Sequence, residues 1–341
     1  MNKRATVLVS GGSGYVGARC VISLLQRGYN VRTTVRDLRR EPEVRTMVAK
    51  EVDPSDRLSV SAANLESDEG WDAAAEGVQY VLHVASPVLV QQPKNPEDLI
   101  RPARDGAARV VRAAIKAGAE RVVMTSSVAA ASRGVRAPDC ESDETVWTDP
   151  DDPTVDAYSR SKTIAERTAW EIIRAEGGAT TLAVINPCMI LGPVLGRDFS
   201  DSVQLVQRLL SGKMSGVPRL GFNIVDVRDL ADLHMRAMTD PIAAGERFIG
   251  AGEFAWMADI AVILRARLGA EAAKVPTMNV PDFLLRVVGL FDRDLGAMNG
   301  YLGRKYTYSS AKARSVLRWK PRPLEDTIVD CARSLIAMGI V

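Results

Sequence analysis

Two histidines, His83 and His234, and four scattered cysteines are all that the 341 residues offer a soft metal ion. Cys20, Cys140, Cys188 and Cys331 form no C-x-x-C pair, which argues against a clustered zinc site, and free thiols suit a reducing compartment. Charge of one sign is missing too. The 44 basic and 42 acidic side chains leave a formal net charge of +2, so no broad field draws the chain to nucleic acid or an anionic membrane. No uninterrupted apolar run approaches the roughly 18 residues needed to cross a bilayer. The opening MNKRATVLVSGG places two basic residues before an apolar stretch, but that stretch ends at Val9 and passes into serine and glycine rather than an A-x-A cleavage site. It reads as a strand, and the expected compartment is the cytoplasm. Internal repeats, low-complexity tracts and long like-charge runs are absent, which sets aside arrays and disordered arms.

With 46% hydrophobic and 25% charged residues, the chain has ordinary globular material for a large core. Its length exceeds one compact domain, so two unequal lobes are expected. From Thr6 to about Ile185, β-branched runs (TVLVS, NVRTTV, RLSVSA, YVLHVAS, RVVMTSS, TLAVINP) alternate with helix-like stretches, among them about Glu97 to Ala117 and Tyr158 to Glu176. Such alternation predicts a doubly wound α/β fold, a parallel sheet of about six strands covered on both faces. After Pro187 the elements shorten and proline and glycine punctuate them. The predicted division is therefore a dinucleotide-binding Rossmann domain over 1–187 and a mainly substrate-binding lobe over 188–341, with some elements free to return to the first domain.

Between the first strand and helix lies SGGSGYVG, in which Gly11, Gly14 and Gly17 have G-x-x-G-x-x-G spacing. The first glycine permits a tight turn, the second lets backbone amides approach a pyrophosphate, and the third allows close helix packing. Gly11, Ser13, Gly14, Tyr15, Val16 and Gly17 are thereby assigned to the phosphates, which face the positive end of the helix. At the end of the second strand the signals conflict. Arg36 suits the 2′-phosphate of NADPH, whereas Asp37 suits a 2′-hydroxyl; Arg39 and Arg40 follow at once, and three arginines favour the phosphate. Against this stands a plainer reading, in which Arg36 is a solvated strand-end charge and Asp37 opens a turn. Asn64 and Leu65 end the third strand near the expected adenine, where Asn64 either bonds the base or caps a turn. Val84, Ala85 and Ser86 close the fourth strand at the carboxyl edge where ligands bind, and His83 beside them reads as a satisfied strand-end histidine.

In DAYSRSK, Tyr158 and Lys162 are four residues apart and stack on one helix face. A free tyrosine is a poor acid at neutral pH, and an adjacent ammonium favours the phenolate, so Tyr158 is the candidate proton donor to a carbonyl oxygen. Upstream, MTSSVA ends the fifth strand, so Thr125 lies at the cofactor edge and Ser126 or Ser127 can hold the substrate oxygen. Asp226, Arg228 and Asp229 read as capping groups of a later helix.

Taken together, GGSGYVG, TVRD, HVASP, TSS, YSRSK and INPCMILGP resemble an extended short-chain dehydrogenase/reductase of the dihydroflavonol reductase and cinnamoyl-CoA reductase type, close to the bacterial aldehyde and ketone reductases of that group. The resemblance runs from Val7 to about Ala337. It implies Ser127, Tyr158 and Lys162 as the catalytic set, with Lys162 also on the nicotinamide ribose. It further implies Arg36 as the residue selecting NADPH, and Pro187, Cys188 and Ile190 at the nicotinamide end. Two departures restrict the substrate: Ser132 stands where the plant flavonoid reductases have asparagine, and DAYSRSK replaces the NWYCYGK of cinnamoyl-CoA reductases. A smaller aldehyde or ketone, hydrophobic or aromatic, is expected in a mostly apolar pocket formed by Pro87, Val88, Ser127, Ser132, Met189, Leu220 and Phe222. The alternatives are a nucleotide-sugar epimerase or dehydratase with bound NAD, and a non-catalytic NADPH-sensing module, which would not need Tyr158 and Lys162. Either a monomer or a homodimer suits the pattern.

Overall fold

The computed structural model describes residues 4–87, 95–134, 137–289 and 299–341. Its centre is a parallel sheet whose inner strands are buried on both faces, which is why they read as nearly continuous apolar runs, while the edge strand of Leu58–Ala62 is partly exposed. In β1 (Thr6–Ser10), Val7, Leu8 and Val9 are all buried to within 1%. Beside it on one side lie β2 (Asn30–Val35) and then β3 (Leu58–Ala62). On the other side follow β4 (Tyr80–His83), β5 (Arg121–Thr125) and β7 (Thr181–Pro187). These are the six strands expected from the sequence.

A seventh was not expected. β10 (Arg247–Gly250) pairs in parallel with β7, from Arg247 opposite Val184 to Gly250 opposite Pro187, and completes the order β10-β7-β5-β4-β1-β2-β3. Four residues carry too little periodicity to announce a strand, but all four are buried against that edge.

One face of the sheet is covered by α1 (Tyr15–Gln26) and α2 (Glu41–Ala49), the other by α3 (Trp71–Ala75), α4 (Glu97–Lys116) and α5 (Ala157–Glu176). The chain then leaves for a smaller lobe. There β8 (Met189–Leu191), β9 (Gly221–Asp226) and β11 (Phe254–Trp256) form a three-stranded sheet in the order β11-β9-β8. It is packed with α6 (Asp201–Leu210) and α8 (Met257–Leu268), flanked by the short α9 (Asp282–Val288).

The lobes are interwoven. Between β9 and β10, α7 (Val227–Thr239) returns to pack against α1 on the large sheet. Asp226 caps it by accepting from the Arg228 N–H, the capping expected of this acidic start, whereas Arg228 and Asp229 are instead paired with Asp330 and with Arg322 at 2.7 Å. A two-residue strand, β12 (Thr307–Tyr308), pairs in parallel with β6 (Glu141–Ser142) and straps the late chain to the segment after β5. Next come α10 (Ala311–Val316), whose Ala313 and Val316 pack on the large core, and α11 (Leu324–Ala337), which packs on α8 and α6. No helix among the described residues is long and apolar enough to cross a membrane.

Candidate active site

Strand order reverses between β1 and β4, and the crevice outside their carboxyl ends is where open α/β sheets bind ligands. A polar latch sets its shape. Ser10 Oγ accepts from the Val84 and Ala85 N–H groups at 2.9 Å each, so its one hydrogen goes to His83 Nδ1, also at 2.9 Å. His83 therefore carries its own hydrogen on Nε2. Burial, with Lys162 nearby, pushes its pKa down to about 3, which makes it the satisfied neutral histidine expected from the sequence.

The glycine turn enters this crevice between β1 and α1. Gly11 has φ +74°, and a side-chain carbon at Gly17 would stand 2.1 Å from the Gly11 carbonyl oxygen, so the turn and helix approach as closely as backbone allows. At Gly14 such a carbon would meet nothing nearer than that same oxygen at 3.4 Å. Among the described residues no other atom comes within 4 Å of that carbon, and Gly14 caps α1 without any side-chain hydrogen bond. The amides of the first turn are thus presented to a ligand, and a pyrophosphate fits them. Tyr15 contributes only its backbone to that surface, because its hydroxyl is buried and donates to the Gly192 carbonyl at 2.7 Å. Ser13 is 7% exposed, and Val16 packs partly into the core.

At the adenosine end, the arginine cluster is smaller than the sequence suggests. Asp37 opens a turn, accepting from the Arg39 N–H at 2.9 Å, and it also pairs with the Arg39 guanidinium. Those contacts, led by the side-chain hydrogen bond, hold its carboxyl below the usual range. Arg40 is engaged by Glu43 and Asp198. Arg36 alone is exposed with no hydrogen bond or ion pair among the described residues. Asn64 caps a turn through the Glu66 N–H at 3.2 Å, and Leu65 packs toward α4 beside Gly106.

On the other side of the switch point, Asp156 caps α5 by accepting from the Ser159 N–H at 2.9 Å, which fixes where the helix starts. Tyr158 is 37% exposed, whereas Lys162, one turn on, is 7% exposed. Its ammonium lies 5.7 Å from the Tyr158 ring centroid and donates to Ser86 Oγ at 2.9 Å. The adjacent serines separate cleanly. Ser126 is 2% exposed and donates to Glu166 at 2.6 Å, while Ser127 lines a cavity with Tyr158. Ser127 Oγ accepts from the Ala129 N–H at 3.1 Å, leaving its own hydrogen for another acceptor. Thr125 is drawn elsewhere: His234 Nδ1 must donate to the Leu230 carbonyl, so its Nε2 accepts from the Thr125 hydroxyl at 2.7 Å. The Thr125 side chain is thereby committed within the protein.

The cavity measures about 270 Å³. Of the expected pocket residues, Ser127, Ser132 and Met189 line it, together with Pro187 and Cys188, expected at the nicotinamide end. Leu220 and Phe222 do not, because the former is 2% exposed in the core of the small lobe and the latter packs partly buried against that core. Pro87 and Ile190 are also outside the lining, and Val88 falls outside the described residues. The expected apolar character is corrected as well: Ser159, Ser202, Tyr301 and Tyr308 join the wall, making it rich in hydroxyls. Nothing local marks these tyrosines, which reach the site through the β6 and β12 strap. Burial raises the Tyr301 phenol to about 12 and pushes Tyr308 up too, so both stay protonated; burial likewise keeps the Cys188 thiol neutral. No arginine or lysine lines the cavity among the described residues. A larger, more open groove of about 410 Å³ on the outer side of α5, between Trp147 and Arg174, includes none of the predicted site residues.

Residues 7–249 match the NAD dependent epimerase/dehydratase family. Cinnamoyl-CoA reductase 1 of Arabidopsis thaliana is 36% identical over 243 residues, covering 70% of this chain and 68% of the plant protein. An anthocyanidin reductase of Vitis vinifera is 31% identical over 289 residues, covering 80% and 83% of the two chains. Among solved structures, a yeast methylglyoxal/isovaleraldehyde reductase complexed with NADPH superposes with a TM-score of 0.82 at 25% identity, over 98% of this chain and 100% of that one.

Proposed function

We propose that this chain, which belongs to the NAD dependent epimerase/dehydratase family, is an NADPH-dependent reductase that converts a small aldehyde or ketone to its alcohol. The observation that carries the reading is the cavity that Ser127 and Tyr158 both line, with the Lys162 ammonium buried beside the Tyr158 ring. NADPH would be held by the open glycine turn, by Arg36 at the adenosine phosphate, and by Lys162 and the Pro187–Cys188 end of β7 at the nicotinamide. When bound, it supplies the hydride.

The remaining work belongs to the protein. Ser127 donates its free hydrogen to the substrate carbonyl oxygen, which orients the carbonyl and stabilises developing negative charge. Tyr158 gives that oxygen its proton, and Lys162 stabilises the phenolate left behind. His83, neutral and bonded to Ser10, serves only the crevice. The hydroxyl-rich wall, closed by Tyr301 and Tyr308, suits a small substrate with a ring or chain to pack on the phenols and a second oxygen to accept from them. Among the described residues no arginine or lysine lines the cavity to grip a nucleotide-sugar diphosphate.

The test is nicotinamide absorbance with purified protein, NADPH or NADH, and a panel of aromatic and aliphatic aldehydes, ketoesters and ketones. Carbonyl-dependent consumption that favours NADPH is expected. Tight NADPH binding without turnover on any member would overturn the reductase reading in favour of a sensing module.

A further inference from the structure

Glu166 has no place in the chemistry above, yet it is 0% exposed on α5, four residues beyond Lys162 and eight beyond Tyr158, a spacing that keeps all three on neighbouring parts of one helix face. Its carboxylate accepts from Ser126 Oγ at 2.6 Å, Asn186 Nδ2 at 2.8 Å and Arg247 Nε at 2.6 Å. Asn186 also donates from Nδ2 to the Ser127 carbonyl at 3.1 Å. Its orientation is unambiguous, because the reversed amide would turn an oxygen toward both a carboxylate and a carbonyl. The consequence is that Asn186 Oδ1 is buried without a hydrogen-bond partner among the described residues. Arg247 is fixed in turn by the Glu144, Val146 and Ala130 carbonyls and by stacking on Trp147 at 3.7 Å. One buried ion pair thus ties together α5, the ends of β5 and β7, and the start of β10.

We propose that Glu166, acting through Asn186, is a positioning residue that sets Ser127 against Tyr158; this rests on the reading of those two as the catalytic hydroxyls. A buried ion pair generally stabilises no better than apolar packing of the same volume, and an orphaned acceptor is a cost. Geometry is what the arrangement secures. Ser127 is gripped at its carbonyl by Asn186 while its hydroxyl sits on the Ala129 amide, so a shift at one end turns the other.

The test is a double-mutant cycle of Asn186→Leu with Ser127→Ala, with the melting temperature of each variant recorded. Asn186→Leu removes both donors at similar volume and leaves the Glu166–Arg247 pair intact. It is expected to lower kcat about tenfold or more, with KM for NADPH within about twofold of wild type. On the Ser127→Ala background the same change should cost less than about twofold. Equal losses on both backgrounds would overturn the proposal. Should Asn186→Leu not fold, Ser126→Ala, which strips one donor from Glu166, is run through the same cycle with the same criterion. If the wild-type chain reduces no carbonyl compound, the proposed reaction fails separately, and a crystal structure of the variant decides the positioning: Ser127 displaced supports it, Ser127 unmoved refutes it.

Discussion

Replacing Arg36 with alanine removes a guanidinium that the fold itself does not use. The side chain is exposed and has no partner among the described residues, so the folded protein should lose little, within about 0.5 kcal/mol. Its loss should be felt only when a 2′-phosphate is present. A hydrogen-bonded contact with a charged group contributes about 1.5–3 kcal/mol, which corresponds to a Kd for NADPH weaker by about 10- to 150-fold. NADH lacks the phosphate and should bind the variant almost as it binds the wild type. Arg39→Ala is the internal control, since Arg39 is already held by Asp37 and should matter much less to NADPH. Tryptophan fluorescence titration with both cofactors, beside melting curves, measures each quantity. Equal weakening for NADPH and NADH, or an Arg39→Ala loss as large as that of Arg36→Ala, would refute the assignment of phosphate recognition to Arg36.

Tyr158→Phe deletes one hydroxyl from the cavity wall, so kcat should fall by about 10²- to 10⁴-fold while NADPH affinity holds within about twofold; near-normal turnover would remove Tyr158 as the acid. At Gly17, alanine would drive its methyl against the Gly11 carbonyl oxygen at 2.1 Å, and a destabilisation of about 1–3 kcal/mol together with loss of NADPH binding is expected from urea unfolding and titration. Wild-type behaviour would mean that helix and turn are not so closely packed. Burial lowers His83 to about 3 and His234 to about 4 from a free value of 6.5. Below 6.5 the unfolded chain therefore binds protons that the folded chain does not. Stability should be full above that pH and fall as pH drops toward 4, by about 1.4 kcal/mol per histidine per pH unit. Urea midpoints between about pH 6.5 and 5.5, where carboxylates contribute little, test this, and a flat profile contradicts it.

Local pattern carried much of this protein. β-branched runs spelled out six parallel strands, because an inner strand covered by helices on both sides has no polar face to interrupt it; only the edge strand β3 alternates with serine. The glycine spacing located the tight turn into α1, and the four-residue interval from Tyr158 to Lys162 already placed both on one helix face. Each of these is information within a few residues of itself. Arg247–Gly250 is a strand only because the open edge of β7, about sixty residues earlier in the chain, gives it hydrogen bonds and burial. Tyr301 and Tyr308 enter the cavity only because the late chain pairs with Glu141–Ser142, while Leu220 and Phe222, apolar like any pocket residue, were taken by the core of the small lobe.

The choice between Ser126 and Ser127, and between Arg36 and its arginine neighbours, was likewise open in the sequence. Partners separate them: Glu166, forty residues on, takes Ser126, whereas Arg39 and Arg40 meet their chain neighbours Asp37 and Glu43, and only Asp198 reaches Arg40 from afar. The sequence by itself determined which local elements form and where the glycine turn and the Tyr158–Lys162 pair stand along the chain. Only the tertiary structure decided which side chains remain free to meet a ligand, because a polar group's availability depends on every partner the rest of the fold brings within reach of it.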